Sequence, residues 1–464
     1  MDALWLGLSN LMQPMILLSL VAGAVGGLII GAIPGIGPAI AIAILLPATV
    51  FLDDLVSLVL LLGVYGSSMY GGAIPAILIN TPGTPVNALT TYDGYAMTQR
   101  GEAARGLSLA YSASFFGGCF SILAALTALV AFGPYLRDLG ALFGQRDIFM
   151  AAMLGAVLLI LAHRRTMSIA ALLFGIGFMI SLIGRQSLKQ IDRYTFDYEY
   201  LYAGFNLIVV IVGIFASSQA LYLLTGKDAD PPEARMKGGL FRGLGELRRY
   251  KLVAGISAVY GTVMGIIPGV GEFVAQFFSY STARFLSKTP TQFGHGAPEG
   301  LIASETANNA VPAAAMIPLL ALGVPGEALT AMMMVVFFDA GIKPGPDIFE
   351  NSSDFLFSLF FALLLINLLV VVTLIFCTKY VAKMVYIPNR FLGGINPDAV
   401  IRWCLFNPQQ FCRLHLCLPL WLFRLCAEAD QLAACAAGAR AGSGINHGGA
   451  PDRRRKSNHV SYGP

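Results

Sequence analysis

The chain has 464 residues, of which 56% are hydrophobic and only 12% are charged, and its formal net charge is +4. A soluble domain normally carries about twice this share of charged residues, and the mean hydropathy of the chain is +0.71. This composition excludes an ordinary soluble globular protein, and the small net charge gives no indication of nucleic-acid binding.

Apolar stretches of about membrane-spanning length recur along the chain. Because a helix needs about 20 apolar residues to cross a bilayer, we predict an all-α, polytopic integral membrane protein with about 10–12 transmembrane helices. The stretches that reach or approach this length are 15–33, 107–132, 149–162, 169–183, 205–224, 252–267 and 355–376. No Lys or Arg precedes Arg100, so the first stretch lacks the basic region of a cleaved signal peptide and is expected to remain as a helix.

A basic loop near the middle of the chain gives an expected orientation and divides the sequence into two halves. Because short basic loops of membrane proteins remain in the cytoplasm, we place residues 227–251 there. The basic residues of this loop are Lys227, Arg235, Lys237, Arg242, Arg248, Arg249 and Lys251. We expect a first transmembrane half at 1–226, a cytoplasmic connecting loop at 227–251 and a second transmembrane half at 252–394.

The same Pro-Gly motif occurs near the start of each half, and a second Pro-Gly pair follows it. GAIPGIG at 31–37 is matched by GIIPGVG at 265–271, and LINTPGTP at 78–85 is matched by LALGVPGE at 320–327. Two motifs that recur in the same order predict an internal duplication. We expect the halves to be related as inverted repeats, with helices broken at these motifs.

Broken helices in a membrane indicate a binding site. Proline and glycine interrupt helical hydrogen bonding, and the freed backbone groups are tolerated in a bilayer only inside protein or beside a wet cavity. Breaks at matching positions of two halves are typical of transporter binding sites, and a half-helix that begins at a break directs N–H groups and a positive dipole end at an anion. The alternative is that each Pro-Gly pair only kinks a helix or forms a tight turn between spans.

Polar residues lie beside the breaks, where a membrane protein seldom carries them without a function. The amides and hydroxyls among them could bind a carboxylate without the full cost of a buried charge. Glu305 would bind a cation or a proton if it lies at membrane depth, and its alternative role is that of a carboxylate at a helix end, solvated or capping N–H groups. Asp93 lies in YDGY, which by itself indicates a surface turn.

Several longer segments resemble the large membrane subunit of the tripartite tricarboxylate transporters, the TctA family. The resemblance covers about residues 15–392 and lies in GAIPGIGPAIAIAILLP, YGGAIPAILINTPGTPVNALTTYDGYAMTQRGEAARGL, GIIPGVGE, FGHGAPEGLIASETANNA and IPLLALGVPGEALTAMM. It implies a bacterial inner-membrane permease that works with a small membrane subunit and a periplasmic solute-binding protein. It further implies secondary transport of di- and tricarboxylates such as citrate, driven by an ion gradient.

The breaks, the polar residues and the family motifs together define the candidate site. The substrate-binding candidates are Pro34, Gly35, Gly37, Asn80, Thr81, Pro82, Gly83, Thr84, Pro268, Gly269, Gly271, Asn308, Asn309, Pro325 and Gly326. The ion-coupling candidates are Asp93, Glu299 and Glu305. We expect no cofactor and no bound metal, but co-transport of Na⁺ or H⁺, because the spans offer few fixed positive charges to a multiply charged anion.

The C-terminal segment departs from this pattern. Residues 395–464 contain most of the seven cysteines, and arginines interrupt the apolar stretches, without metal-site spacing or helical periodicity. We expect a frameshifted or a divergent tail.

The alternative functions are a stand-alone transporter or channel for another small solute and, with less support, a polytopic membrane enzyme. The sequence contains no catalytic motif such as His-Glu-x-x-His or Gly-x-Ser-x-Gly, so we expect no enzyme.

Overall fold

The computed structural model describes most of the helical body of the chain. The described residues are 2–33, 37–142, 167–186, 191–198, 201–202, 204–205, 242–268, 270–345 and 353–384, with isolated positions at 146, 149, 150, 153, 157, 160 and 348. Several sequence-based predictions lie outside the described residues. They concern Pro34, Gly35, Gly269, most of the connecting loop, most of the predicted span 149–162, nearly all of the predicted span 205–224, and the tail 395–464.

The described part of the chain is almost entirely α-helical, which confirms the predicted all-α membrane fold. Up to Ser181 the described helices are α1 (Asp2–Asn10), α2 (Pro14–Gly31), α3 (Pro38–Thr49), α4 (Asp54–Ile79), α5 (Ala88–Gln99), α6 (Ala103–Leu142) and α7 (Met167–Ser181). The later helices are α8 (Arg242–Leu247), α9 (Lys251–Ile266), α10 (Gly271–Leu286), α11 (Pro298–Leu322), α12 (Ala328–Asp339) and α13 (Ser353–Met384).

A small antiparallel ribbon is the exception among the described residues. Strand β1 (Gly184–Gln186) pairs with β2 (Ile191–Arg193), and Gly184 lies opposite Arg193. Arg185 and Asp192 form an ion pair across the ribbon at 2.7 Å, and this hydrogen-bonded contact lowers the pKa of the exposed Asp192 carboxyl.

Four described helices are long and apolar enough to cross a membrane: α2, α4, α6 as far as Ala131, and α13 as far as Thr378. The sequence analysis predicted the spans at α2, α6 and α13 but missed α4. Glycine, serine, tyrosine and proline interrupt the apolar pattern of α4. In the structure, 83% of its most apolar 18-residue segment is buried inside the protein. Its polar residues therefore face other helices, and they weaken the hydropathy signal. The predicted total of 10–12 spans stays a prediction.

Two runs of helices follow the same order. In α2–α6 and in α9–α13, a helix is followed by a break, a second helix, a long helix, a short helix and a further long helix. Close glycine contacts match as well: a Cβ at Gly27 of α2 would lie 2.2 Å from Ser67 Oγ of α4, and a Cβ at Gly261 of α9 would lie 2.4 Å from Ala307 O of α11. The division into halves and the inverted symmetry stay predictions.

Helices α4 and α11 form the interior of the described body. α2 packs along α4 and α9 along α11, while α6 packs against α11 and α13 packs against α4. A Cβ at Gly117 of α6 would lie 2.2 Å from the Thr306 carbonyl oxygen, so α6 and α11 touch through their backbones. This contact brings polar side chains of the first run of helices against α11.

Candidate functional site

The two interior helices end in the same way. Asn80 follows α4 with φ 57° and ψ 25°, and Gly323 follows α11 with φ 67° and ψ 20°. In both cases the next N–H returns to a proline carbonyl of the last turns, Thr81 to Pro75 at 3.4 Å and Val324 to Pro318 at 3.3 Å. Glycine adopts this left-handed conformation most easily and asparagine is the usual substitute. Asn80 therefore has a backbone role as a helix cap, and its side chain is exposed.

Gly83 of the second Pro-Gly segment contacts Gly31, the residue at which α2 ends before the first break. A Cβ at Gly83 would lie 2.1 Å from the carbonyl oxygen of Gly31, the last residue of α2, and 2.7 Å from Gly72 Cα of α4. The Gly83 N–H also donates to the Gly72 carbonyl at 3.2 Å. Glycine at position 83 thus allows the segment after α4 to pack against the end of α2.

The remaining predicted break residues differ in exposure. Gly37 caps the start of α3 and is buried, and Thr84 is buried and hydrogen-bonded to Asn87. Gly271 begins α10 with φ 68° and leaves open space where a Cβ would lie. Of the others, Thr81 is exposed, Gly326 is buried, and Pro82, Pro268 and Pro325 are partly buried.

Glu305 lies at the centre of a buried hydrogen-bond cluster. It is 0% exposed in the interior of α11, which excludes a solvated carboxylate at a helix end. Its carboxyl oxygens accept from Asn87 Nδ2 at 3.3 Å, from Ser114 Oγ at 2.9 Å, and from Thr90 Oγ1. One turn later Asn309 Nδ2 donates to Ser114 Oγ at 2.8 Å and to the Glu305 carbonyl at 3.0 Å. Residues before α5, in α5 and in α6 thereby converge on one side chain of α11.

Asp93 is buried inside α5, so the interpretation of YDGY as a surface turn was wrong. Its Oδ1 accepts from the backbone N–H groups of Gly294 at 2.9 Å, Gly296 at 2.9 Å and Ala297 at 2.8 Å. Its Oδ2 accepts from the Tyr280 hydroxyl at 2.8 Å. Asp93 thus holds the start of α11, which occupies its oxygens with four donors.

Glu299 has a simpler environment at the same end of α11. It is partly buried, and its carboxylate accepts a hydrogen bond from Ser287 Oγ at 2.8 Å. Roles of Asp93, Glu299 and Glu305 in ion coupling stay predictions.

A second polar group lies at the breaks before α10 and α12. Tyr65 of α4 is 0% exposed, and its hydroxyl lies 3.3 Å from Glu272 Oε1 and closer still to Glu327 Oε1. Glu272 is in the first turn of α10 and 5% exposed, while Glu327 is the N-cap of α12. The sequence analysis missed both acids, although Glu327 directly follows a Pro-Gly pair in VPGE and Glu272 follows one after two residues in PGVGE.

Several buried polar atoms of this region have no hydrogen-bond partner among the described residues. They include both side-chain amide atoms of Asn308 on α11, both of Gln276 on α10, and Thr306 Oγ1. An unsatisfied buried group costs about 1–3 kcal/mol, so buried amides normally bind protein, water or a ligand. Asn308 was predicted as a solute-binding residue, whereas the sequence analysis missed Gln276.

Helix α10 places the unpartnered Gln276 amide at its interface with α11. Ser279 Oγ donates to the Ala303 carbonyl at 2.9 Å, and Ala275 packs with Val311 and Ala315 in one apolar cluster. Gln276 lies between Ala275 and Ser279 on the buried face of α10. The Gln276 amide therefore belongs to the contact between the half-helix that begins at Gly271 and the interior helix α11, which also carries Asn308.

A cleft among α4, α6, α11 and α13 reaches the Glu305 cluster. It is lined by Tyr70, Asn309 and Asn367 together with glycines of α4 and α6. The Tyr70 hydroxyl donates to Asn367 Oδ1, and Asn367 Nδ2 donates to the Phe115 carbonyl at 3.2 Å. Within the described part of the chain, no group of three or more His, Cys, Asp or Glu residues could hold a metal ion.

One family model and two relatives match the chain. A family model described as the tripartite tricarboxylate transporter TctA family matches residues 17–396. An uncharacterized 52.8 kDa protein in the TAR-I ttuC' 3' region of Agrobacterium vitis is 33% identical over 388 residues, which cover 83% of this chain and 76% of that protein. An uncharacterized protein in the TAR-II ttuC' 3' region of the same organism is 39% identical over 132 residues, 28% of this chain and 54% of the relative. No solved structure matches.

Proposed function

Because the chain belongs to the tripartite tricarboxylate transporter TctA family, we propose that it is the permease subunit of a tripartite secondary transporter. A periplasmic solute-binding protein delivers citrate-like di- or tricarboxylates to it, and a small membrane subunit accompanies it. The chain imports the anion across the bacterial inner membrane together with Na⁺ or H⁺.

The observation that carries this proposal is the pair of unpartnered amide atoms on Asn308. This side chain is 0% exposed on α11, and both its donor and its acceptor lack a partner among the described residues. A carboxylate would accept from the amide N–H, and a solute hydroxyl would donate to the amide oxygen.

Charge balance supports coupling to a cation. A tricarboxylate brings up to three negative charges, and each charge at membrane depth costs several kcal/mol. A helix N-terminus contributes only about half an elementary charge, and no Lys or Arg is among the partners of Glu305 in the described structure. Co-transported cations supply the missing positive charge.

The variant Asn308→Leu tests this proposal sharply. It removes two unsatisfied polar atoms and keeps a similar side-chain volume, so we expect membrane abundance and thermal stability at or above those of the wild type. If the amide binds solute, uptake of labelled citrate, tartrate or succinate into proteoliposomes containing the permease and its partners is lost nonetheless. Thr127→Val serves as the matched control, because Thr127 is exposed on α6 and bonds only to its own helix.

Undiminished uptake by Asn308→Leu at wild-type abundance would contradict a solute site at Asn308. Wild-type protein that accumulates none of these anions in the presence of its partners would contradict the carboxylate permease itself. The two results are separable, because the second does not depend on any variant.

A further inference from the structure

The carboxyl groups of Glu272 and Glu327 lie in contact with one another, with Glu272 buried and Glu327 partly buried. Each is within hydrogen-bond reach of the other and of the Tyr65 hydroxyl. Tyr65 is 0% exposed and Glu272 is 5% exposed. Two ionised carboxylates at such a distance repel strongly, and a closely spaced buried pair therefore retains a proton between its members.

The helices packed around this pair bring no basic side chain against it. α3 carries no charged residue, and α4 contributes Tyr65. α11 contributes Glu305, which is bonded to Asn87, Thr90 and Ser114, and Glu299, which is bonded to Ser287. α9 carries Lys251 at its far end and Tyr260, which is bonded to Thr282 of α10. Arg284 is in the last turn of α10 and Asp339 is in the last turn of α12.

An independent observation indicates an unmet hydrogen-bonding need beside the pair. Gln276 lies one turn after Glu272 on the same buried face of α10, is 0% exposed, and has no partner for either amide atom. Side chains of an α-helix lean toward its N-terminus, so the Gln276 amide is directed at the turn that carries Glu272. It can accept from a protonated carboxyl or from a bridging water, and it can donate to a carboxylate.

The pair also connects the two breaks of the second run of helices. Glu272 belongs to the first turn of α10 and Glu327 caps α12, so both half-helices begin at this contact. With one shared proton the carboxyl groups attract each other through a hydrogen bond. After the proton leaves, two negative charges repel and favour separation of the two helix starts.

We propose that Glu272, Glu327 and the Tyr65 hydroxyl form a proton-binding site, with Gln276 as its polar neighbour, and that this site couples a proton gradient to movement of α10 and α12. The pair takes up one proton from one side of the membrane and releases it on the other, with no bond formed or broken besides O–H bonds. This assignment rests on the proposed transport function and names H⁺ as the coupling ion.

The first experiment is independent of the solute. Infrared spectroscopy of the purified protein in lipid is expected to detect a buried protonated carboxyl band that Glu272→Gln and Glu327→Gln each remove and that Asp339→Asn retains. Asp339 is the matched control, because it is an exposed carboxylate of the same helix α12. A band unchanged in both glutamine variants overturns the proposal, even if the chain transports none of the anions tested.

The second experiment separates binding from coupling. In proteoliposomes, Glu272→Gln and Glu327→Gln are expected to keep solute counterflow, which needs no gradient, and to lose accumulation driven by a pH gradient. Tyr65→Phe, which removes only one oxygen, is expected to shift the pH dependence of accumulation. Accumulation driven by a pH gradient that persists in both glutamine variants, or wild-type accumulation driven by a Na⁺ gradient and insensitive to a pH gradient, overturns the assignment.

Discussion

Removing the Glu305 carboxylate is expected to destabilise the protein in graded steps. In Glu305→Leu, the side-chain donors of Asn87, Thr90 and Ser114 lose their shared acceptor. Asn87 Nδ2 retains the Met69 carbonyl as an acceptor at 3.3 Å, so the Thr90 and Ser114 hydroxyls are left without one. Each unsatisfied buried donor costs about 1–3 kcal/mol, so the change costs about 2–6 kcal/mol before relaxation. Glu305→Gln keeps one acceptor oxygen, but its NH2 group replaces the other oxygen and faces a donor. About one hydrogen bond is therefore lost, which costs about 1–3 kcal/mol of stability.

The assay is thermal stability of the purified protein in detergent, together with its abundance in the membrane. We expect the order wild type, then Glu305→Gln, then Glu305→Leu, with Thr127→Val at the wild-type level because its exposed hydroxyl bonds only within α6. A Glu305→Leu protein as stable and as abundant as the wild type would refute the reasoning, because the two hydroxyl donors would then not depend on this carboxylate.

Two further predictions separate backbone roles from side-chain roles. Asn80→Gly keeps the left-handed conformation and is expected to keep the stability of the wild type, whereas Asn80→Leu loses about 1–2 kcal/mol of stability to backbone strain. If Asn80→Gly is stable but loses uptake, the side-chain amide itself is needed. Gly27→Ala is expected to disrupt the contact between α2 and α4 and lower thermal stability, since its Cβ would lie 2.2 Å from Ser67 Oγ. Gly26→Ala is the control, because its Cβ meets open space. Equal thermal stability of the two alanine variants would contradict the packing.

The sequence predicts the lipid-facing helices of the membrane fold better than it predicts the helices and polar contacts in the interior of the protein. The apolar runs of α2, α6 and α13 stand out, because lipid-facing residues keep a helix uniformly apolar. α4 was missed because it is covered by protein on most sides, so that glycine, serine and tyrosine are tolerated in it. The same property hides the partners of a polar residue, since hydropathy carries no information on which helices enclose it.

The candidate site was predicted in part for similar reasons. Glu305, Asn308 and Asn309 could be selected because amides and a carboxylate beside a break are unusual in a membrane protein. The carboxyl pair of Glu272 and Glu327 could not, because its members come from different helices and meet only at Tyr65 in the folded chain. The break sequences PGVGE and VPGE contain the available signal, an acid within three residues after the Pro-Gly pair of each motif.

The account depends most on the claim that this chain carries carboxylates together with its partner proteins. The most direct measurement is uptake of a labelled tricarboxylate into proteoliposomes that contain the chain and its small membrane subunit, with and without the periplasmic solute-binding protein, under an imposed pH gradient. We predict accumulation that requires the binding protein and disappears when the gradient is collapsed. Accumulation without the binding protein, or accumulation unaffected by collapse of every cation gradient, would contradict the account.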